Sequence, residues 1–220
     1  MRAILLGPIA LSSKKQRAWF RQWKVSTSDL LVGVDGGLDI WNRYGYQPHW
    51  GVGDWDSLEN KGLLKKVLRV DLQRDKDRSD LFHAVLLALS QGARRLLCVG
   101  FTGGRLDHHL ATLCDLAWFS DDPRWIAPIE VFGVDGGTVF LSQYQSSWRR
   151  KLPLKTLVSI FGFPEGASGV DLTGFRYELK NALLLPSSLG LSNEVLSEQV
   201  EVRLKRGHLL VLIPERNVWR

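Results

Sequence analysis

The sequence predicts an α/β domain built on a parallel sheet, followed by an antiparallel β domain. Up to about residue 125, short apolar runs alternate with segments of helical periodicity, as in sheets whose parallel strands are joined by helices. After about residue 128 the apolar runs are short, extended and separated by Gly, Pro or Asn. We therefore expect an α/β domain at 1–127 and a β-sandwich or partial barrel at 128–220, with a linker around 120–128.

Short apolar runs in the first domain are interpreted as its buried strands. The first run is broken by Gly7-Pro8 and followed by Lys14 and Lys15, so we interpret it as a strand rather than a signal peptide. Since each run is followed by a loop or a helical pattern, the strands should lie parallel in one sheet. The predicted strands are 3–6, 30–34, 50–52, 67–70 and 95–99.

Helices are predicted between these strands at 37–44, 79–90 and 107–119. The second of them has the clearest boundaries, because Ser79 is a typical N-cap residue and Gly92 a typical helix end. Its apolar face consists of Leu81, Phe82, Val85, Ala88 and Leu89.

The second domain is predicted to contain strands only, at 129–132, 138–141, 157–161, 178–185, 199–204 and 209–213. One pentapeptide, Gly-Val-Asp-Gly-Gly, occurs in both domains, at 33–37 and at 133–137. The first copy leads into a helical pattern and the second into an apolar run. We therefore interpret the second copy as a hairpin turn.

Composition is typical of a globular protein, with 45% hydrophobic and 24% charged residues. The formal net charge of +6 favours polyanionic partners, and nucleotides meet that requirement as well as nucleic acids do. Because the basic residues form short clusters rather than one stripe, we expect no nucleic-acid interface. No apolar run approaches the roughly 20 residues of a membrane helix, so we expect no membrane association.

Cysteine usage predicts a cytoplasmic location. Cys98 and Cys114 both lie in apolar runs, and neither has metal-ligand spacing to a partner. We expect two buried thiols, which suit a reducing compartment.

Acidic and glycine-rich segments follow four of the predicted strands, and ligands of open parallel sheets bind beyond the carboxyl ends of the strands. Each segment alone could be a turn or a helix cap, but all four should meet at one edge. Asp54 and Asp56 are two residues apart, so on an extended segment their side chains would point the same way. The four segments are Asp35-Gly36-Gly37, Gly53-Asp54-Trp55-Asp56-Ser57, Asp75-Lys76-Asp77-Arg78-Ser79-Asp80 and Gly103-Gly104-Arg105-Leu106-Asp107-His108.

These residue types are suited to a phosphoryl-transfer site. Gathered carboxylates are ligands for Mg²⁺, which usually accompanies phosphates. Lys76 and Arg105 can offset phosphate charge, and helices that start after Gly37 and Gly104 direct their positive ends to the same region. The sequence contains neither a P-loop nor a Rossmann fingerprint, which argues against those two nucleotide-binding classes.

In this order, the four segments resemble the pattern of the thiamine pyrophosphokinases, with Pro48 shortly before the second segment. The later part of the chain is similar as well: Gly174-Phe175-Arg176-Tyr177 resembles the family's Gly-Leu-x-Trp/Tyr segment, and Ser192-Asn193-Glu194 its Ser-Asn-Glu segment. The resemblance covers nearly the whole chain. Lys76 stands where some members have Gln, Phe175 replaces the usual Leu, and Trp55 stands where Phe is common.

The resemblance implies an α/β nucleotide-binding domain and a β-sandwich that binds thiamine and forms a homodimer, with active sites between the subunits. It implies Mg²⁺-dependent transfer of pyrophosphate from ATP to the hydroxyl of thiamine, which yields thiamine diphosphate and AMP. The catalytic residues would be Asp54, Asp56 and Asp80 as metal ligands, with Asp107 orienting or deprotonating the hydroxyl. ATP would contact Asp35, Gly36, Gly37, Lys76, Gly104 and Arg105. Thiamine would contact Tyr177, Ser192 and Asn193.

Two alternatives stay open at this point. One is a pyrophosphokinase of the same fold that acts on another hydroxymethyl heterocycle, such as a pterin. The other is a non-catalytic nucleotide- or nucleic-acid-binding protein. Intact carboxylates in all four segments disfavour the second alternative, since phosphate binding alone would favour Lys or neutral donors.

Overall fold

The computed structural model describes residues 1–11 and 25–214. The chain forms two compact units: Met1–Leu113 with Val131–Val134, and Cys114–Glu130 with Asp135–Arg220. The division at 127/128 that the sequence suggested stays a prediction.

The first unit is organised around a parallel sheet in the strand order β4-β3-β2-β1-β5. Each neighbouring pair runs parallel, which confirms the predicted α/β arrangement. Strands β1 and β2 are almost wholly buried, while β4 at the edge is largely exposed. The strands are β1 (Arg2–Leu6), β2 (Leu30–Val34), β3 (Trp50–Gly53), β4 (Leu68–Asp71) and β5 (Arg95–Val99).

Among the described residues, three α-helices are present: α1 (Gly37–Arg43), α2 (Asp80–Ser90) and α3 (Leu106–Ser120). As predicted, Ser79 caps α2, its hydroxyl accepting a hydrogen bond from the Phe82 amide at 3.1 Å. The predicted apolar face of α2 is buried, and each of its Leu, Phe and Val side chains contributes roughly 1.5–3 kcal/mol. A 3₁₀ helix spans Lys61–Lys66.

The core beside the first sheet explains why α1 forms where it does. Trp41 is fully buried, and its indole N–H donates to the Val32 carbonyl at 2.9 Å. Ile40 and Trp41 pack with side chains of β1, β2 and β5 in one apolar cluster. The helix is thus held against the sheet directly after β2, so the residues between them stay at the carboxyl edge of the sheet.

The second unit contains antiparallel strands in the order β7-β13-β9-β12-β8. Strands β10 and β11 also pair with β9 and run antiparallel to it. A turn precedes β7 as predicted, but it lies at Val134-Asp135, and Gly136 and Gly137, which were predicted to belong to the turn, are the first residues of the strand. The strands from β6 onward are β6 (Ile129–Gly133), β7 (Gly136–Ser142), β8 (Ser147–Lys151), β9 (Leu157–Thr173), β10 (Leu179–Leu184), β11 (Asn193–Glu194), β12 (Gln199–Arg203) and β13 (Arg206–Pro214).

Strand β9 differs most from the prediction, because it continues for 17 residues where the sequence suggested a short strand at 157–161. Its glycines looked like interruptions. Instead, Gly166 has a φ of 109°, and the register against β13 shifts between Gly207 and Leu209, so the strand bends and continues. Strands β8 and β11 were not predicted.

Two further expectations concern the cysteines and membrane spans. Cys98 is buried as predicted, whereas Cys114 is exposed, so the expectation of two buried thiols was wrong; both thiols are free. Cys114 lies on α3, where an apolar neighbourhood in sequence does not ensure that a given side faces the core. Within 1–11 and 25–214, no helix is long and apolar enough to cross a bilayer.

Candidate active site

The site is built around Asp35, the first residue after β2. This residue is 8% exposed and has a φ of 46°, an unusual left-handed conformation for a residue other than Gly. Its amide donates to the Val52 carbonyl at 3.0 Å, and its carboxyl accepts from the Trp55 amide at 3.2 Å. The backbone around β2 and β3 therefore turns the Asp35 side chain towards the residues that follow β3.

Gly53 provides the space for that carboxyl. A Cβ atom at Gly53 would lie 1.8 Å from Oδ1 of Asp35, so any larger residue would displace the carboxyl group. This close approach gives a physical reason for the Gly-Asp step in the segment.

The chain then turns sharply at Trp55, which has a φ of 65°. Asp56 donates its amide to Oδ1 of Asp54 at 3.2 Å, and the Trp55 indole donates to Asp71 at 2.8 Å. The expectation of an extended segment was thus wrong, because a local hydrogen bond closes a turn. The two carboxylates are still brought together, by the turn rather than by strand geometry.

Asp35, Asp54 and Asp56 form an acidic cluster, and each offers a carboxylate oxygen within 4.8 Å of the others. Asp35 is buried, Asp54 is half-buried and Asp56 is exposed, so the cluster opens to solvent on one side. A set of three oxygen donors fits a hard divalent cation that keeps water or phosphate ligands on its open side. The sequence had predicted Asp54, Asp56 and Asp80 as metal ligands and Asp35 as an ATP contact.

Asp80 lies next to this acidic cluster, at the first position of α2, and it is joined to Asp54 through Lys76. The Lys76 ammonium lies 3.0 Å from Oδ2 of Asp54 and 3.0 Å from Oδ1 of Asp80. All three side chains are at most 22% exposed. In contrast, Asp75 and Asp77 of the same segment are exposed.

Electrostatics follow from this packing. Burial raises the pKa of Asp35 to about 7, and the charge of Asp80, a hydrogen bond with Asp80 and the charge of Asp54 act in the same direction, against the Trp55 amide. The hydrogen bond from Lys76 lowers the pKa of Asp54. Burial alone would lower the pKa of Lys76, but its bonds to Asp54 and Asp80 raise it. The packing around Asp35 thus opposes the charged form of its carboxyl group, whereas the Lys76 ammonium favours the charged form of Asp54.

Gly36 and Gly37 have packing roles at this edge. A Cβ at Gly37 would lie 1.8 Å from the Leu6 carbonyl oxygen, so only Gly lets α1 start so close to β1. The Gly36 amide donates to the Ser57 hydroxyl at 3.1 Å. A Cβ at Gly36 would lie 3.0 Å from the Ser57 carbonyl oxygen, so close packing gives a reason for both glycines, and their assignment as ATP contacts stays a prediction.

The predicted pair Arg105 and Asp107 lies at the start of α3, with Arg105 directly before the helix and Asp107 in its first turn. The Arg105 guanidinium lies 2.6 Å from the Asp107 carboxylate, and the two side chains are 74% and 64% exposed. The hydrogen bond from Arg105 lowers the pKa of Asp107 to about 2. Gly103 has a φ of 90°, and a Cβ added at this position would lie 1.9 Å from Cγ2 of Val134. Gly104, another predicted ATP contact, is exposed.

The predicted thiamine contacts lie in the second unit, where two of them form one local arrangement. The buried Asn193 side chain accepts from the Tyr177 amide at 3.0 Å and donates to the Tyr177 carbonyl at 2.8 Å. Tyr177 itself is 66% exposed. Ser192 is exposed, with a φ of 56°, and its amide donates to the Ser159 hydroxyl at 3.0 Å. Asn193 therefore fixes the backbone from which the Tyr177 side chain projects.

Sequence reasoning missed two features of the acidic edge. It gathered Asp35 with Asp54 and Asp56 among the carboxylates at the strand ends, but it assigned Asp35 to ATP rather than to the metal. It also did not foresee that Lys76 joins Asp54 to Asp80. Lys76 and Asp80 are four residues apart, but Lys76 precedes α2, so this spacing is not the helical pairing that would have predicted the bridge.

Both parts of the chain match models of one family. Residues 22–126 match the thiamin pyrophosphokinase catalytic domain, and residues 148–209 match the thiamin pyrophosphokinase vitamin B1 binding domain. Together, the two matches cover most of the chain.

Curated relatives and solved structures agree with these matches. The chain is 27% identical to thiamin pyrophosphokinase 1 of Caenorhabditis elegans, over 96% of this chain and 87% of that protein. It is 28% identical to thiamine pyrophosphokinase of Bacillus subtilis, over 83% of this chain and 86% of that protein. A crystal structure of thiamine pyrophosphokinase from Bacillus subtilis superposes with a TM-score of 0.78 at 21% identity, covering 97% of this chain and 99% of the other. The structural likeness supports the fold.

Proposed function

The chain belongs to the thiamin pyrophosphokinase family, and we propose that its acidic cluster holds the metal and nucleotide for that family's reaction. The reaction transfers pyrophosphate from ATP to the hydroxyl of thiamine and yields thiamine diphosphate and AMP. The observation that carries the proposal is the convergence of Asp35, Asp54 and Asp56, with carboxylate oxygens within 4.8 Å of one another.

The donor set suits Mg²⁺, because all three ligands are carboxylate oxygens and the open side leaves room for water or phosphate oxygens. A bound Mg²⁺ would withdraw charge from the phosphate oxygens of ATP. We assign Asp35, Asp54 and Asp56 as its ligands. Asp80 supports the site through Lys76 and Asp35, and it is a direct ligand only if its side chain rotates away from Lys76.

Phosphate binding is assigned to Lys76, in the segment 75–80, and to Arg105, in the segment 103–108. Lys76 lies within 3.0 Å of two carboxylates, so a nucleotide phosphate near the acidic cluster would be within reach of its flexible side chain. Arg105 is exposed and can form the bidentate contacts that phosphates accept. Gly36, Gly37 and Gly104 complete the proposed nucleotide site.

Asp107 is assigned to orient the thiamine hydroxyl for attack on the β-phosphorus of ATP. A pKa of about 2 makes its carboxylate a weak base at neutral pH, so orientation is the larger part of its role. Catalysis then depends mainly on positioning and on neutralising charge.

Thiamine binding is assigned to the segment around Tyr177, with Asn193 holding the Tyr177 backbone and Ser192 beside it. An exposed aromatic ring on a fixed backbone suits a flat cationic heterocycle such as thiamine. We also propose a homodimer formed through the second unit, whose exposed apolar side chains would be buried by a second copy. These side chains include Leu183, Leu185, Leu189, Leu191 and Leu196, exposed by 55–75%.

We further propose that the α/β part at 1–127 binds ATP and the β part at 128–220 binds thiamine. A cytoplasmic location is proposed on the basis of the free thiols Cys98 and Cys114, which suit a reducing compartment.

The direct test is an assay with ATP, thiamine and Mg²⁺ that measures AMP and thiamine diphosphate. We expect stoichiometric formation of both products, and replacement of thiamine by a hydroxymethyl pterin should give no AMP. AMP formation with the pterin and none with thiamine would contradict the assignment of the acceptor. Salt-sensitive RNA or DNA binding with no AMP formation under any condition would contradict enzymatic activity altogether.

A further inference from the structure

Lys76 lies beside the acidic cluster and contacts two carboxylates at once. Its ammonium lies at the same distance, 3.0 Å, from a carboxylate oxygen of Asp54 and from one of Asp80. One of these partners, Asp54, also belongs to the three-carboxylate cluster that suits a divalent cation. The Lys76 ammonium and a metal ion bound in the cluster would therefore both contact the carboxylate of Asp54.

Resting on the proposed function, we propose that Lys76 competes with the divalent cation for Asp54 and moves to a nucleotide phosphate when ATP binds. Lys76 thereby couples metal binding to nucleotide binding: the metal ion alone binds weakly, and the nucleotide strengthens its binding.

The hydrogen bonds of Asp54 explain the competition. Its Oδ1 accepts the Asp56 amide at 3.2 Å, and its Oδ2 accepts the Lys76 ammonium at 3.0 Å. A cation bound by Asp54 would therefore lie within a few ångströms of the ammonium. Both groups are partly shielded from water, since Lys76 is 16% exposed and Asp54 is 14% exposed. Repulsion between two cations is strong at such a separation and is poorly screened there.

The side chain of Lys76 can leave without a change of fold. Lys76 belongs to the segment between β4 and α2, and a flexible stem of four carbons separates its ammonium from the backbone. A phosphate near the acidic cluster would offer the ammonium an alternative anionic partner. Binding of the nucleotide would then free Asp54 for the metal, and binding of the metal would free Lys76 for the phosphate. Such coupling is reciprocal by thermodynamic necessity.

The test measures Mn²⁺ binding by calorimetry or by its electron paramagnetic resonance signal, without nucleotide and then with a non-hydrolysable ATP analogue. For Lys76→Gln we expect Mn²⁺ alone to bind about tenfold more tightly than to the wild type, within the usual range of coupling between sites. The analogue should strengthen Mn²⁺ binding to the wild type by about tenfold and to Lys76→Gln by clearly less.

Arg74→Gln is the matched control. Arg74 is exposed and also lowers the pKa of Asp54 through its charge, so this variant removes one nearby positive charge without opening a bonded position at Asp54. We expect its affinity for Mn²⁺ to change by no more than about twofold, since exposed charges are screened. An equal gain in Arg74→Gln and Lys76→Gln would overturn the proposal, because general charge would then be the cause.

Two further measurements distinguish a failure of this proposal from misfolding of the variant and from a failure of the proposed function. Lys76→Met keeps the apolar stem of the side chain without its ammonium. The rise of this variant's melting temperature on addition of Mn²⁺ should exceed that of the wild type. Unchanged or weaker Mn²⁺ binding in both Lys76 variants would overturn the proposal, even if the wild type produced AMP from ATP and thiamine. Conversely, tighter Mn²⁺ binding in both variants would support it even if thiamine proved not to be the acceptor.

Discussion

The pentapeptide Gly-Val-Asp-Gly-Gly occurs at 33–37 and at 133–137, and its two aspartates lie in contrasting surroundings. Asp35 is 8% exposed at the carboxyl end of β2, with a left-handed backbone and a pKa of about 7. Asp135 is exposed in the turn that precedes β7. One pentapeptide thus gives a buried member of an acidic cluster in one place and a turn residue in the other.

The difference between the surroundings of Asp35 and Asp135 comes from other segments of the chain. Around Asp35, the chain provides the Trp55 amide as a donor, Gly53 as a space for the carboxyl, and Asp80 as a neighbouring charge. The chemistry of an aspartate in this protein therefore depends on which strand end it occupies rather than on its immediate sequence. The following experiments test this contrast.

The largest effect is expected from Asp54→Asn. Loss of one carboxylate from the acidic cluster should lower kcat by about 10²–10³, the size typical of a removed group that stabilises a transition state. Thiamine-dependent AMP release measures the rate, and circular dichroism checks the fold. A variant with the wild-type rate would remove Asp54 from the metal site.

Asp35→Asn should change the pH dependence of stability. Asp35 has a pKa of about 7 in the folded chain against an ordinary value of 3.8, so the folded chain retains a proton that the unfolded chain releases between these values. The free energy of unfolding therefore falls as pH rises from about 4 to about 7.

Urea unfolding at pH 5 and pH 8, with EDTA present, measures this difference. The Asp35→Asn variant should lose less stability than the wild type between the two pH values, whereas Asp135→Asn should behave like the wild type. The same loss in all three proteins would mean that Asp35 does not titrate in this range.

Gly53→Ala should displace the Asp35 carboxyl, because the new Cβ would lie 1.8 Å from Oδ1 of Asp35. We expect a loss of about 2 kcal/mol in the free energy of unfolding, as for other overpacked sites, together with reduced activity. Gly45→Ala is the control: its φ is 78° and no atom lies within 4 Å of a Cβ there. It should cost about 1 kcal/mol from backbone strain alone and leave activity intact. Full activity in Gly53→Ala would show that the position of this carboxyl is unimportant.

Asp107→Asn should have the smallest effect on the fold. Asp107 is exposed like Asp135, but it is paired with Arg105 and lies in the proposed active site. We expect an unchanged unfolding midpoint and about a tenfold fall in kcat, below the 10²–10⁴-fold contribution of a general base. A fall of a hundredfold or more would instead identify Asp107 as the base.

Much of the fold was predictable because buried parallel strands are continuous apolar runs. Strands β2 and β5 have the predicted bounds, and Ser79 caps α2 as predicted. Strand β9 was not predictable from local sequence, because its glycines and Pro164 are typical of strand ends. Its length depends on pairing with four other strands, which is a long-range property.

The site was predictable as a set of strand ends, but its internal arrangement was not. That Asp35 joins Asp54 and Asp56 depends on the backbone at Trp55 and on the space at Gly53. The bridge from Lys76 to Asp54 spans 22 residues and has no local sequence signature. The distances between side chains of different segments are set by the fold and not by the local sequence.

The central claim is that Asp35 belongs to the catalytic metal site and its repeat Asp135 does not. Thiamine-dependent AMP release by the wild type, Asp35→Asn and Asp135→Asn, at saturating ATP and Mg²⁺, tests it most directly. We predict that Asp135→Asn keeps the wild-type rate and that Asp35→Asn is slower by about 10²-fold or more. A folded Asp35→Asn variant with the wild-type rate, or an equal loss of activity in both variants, would contradict the claim.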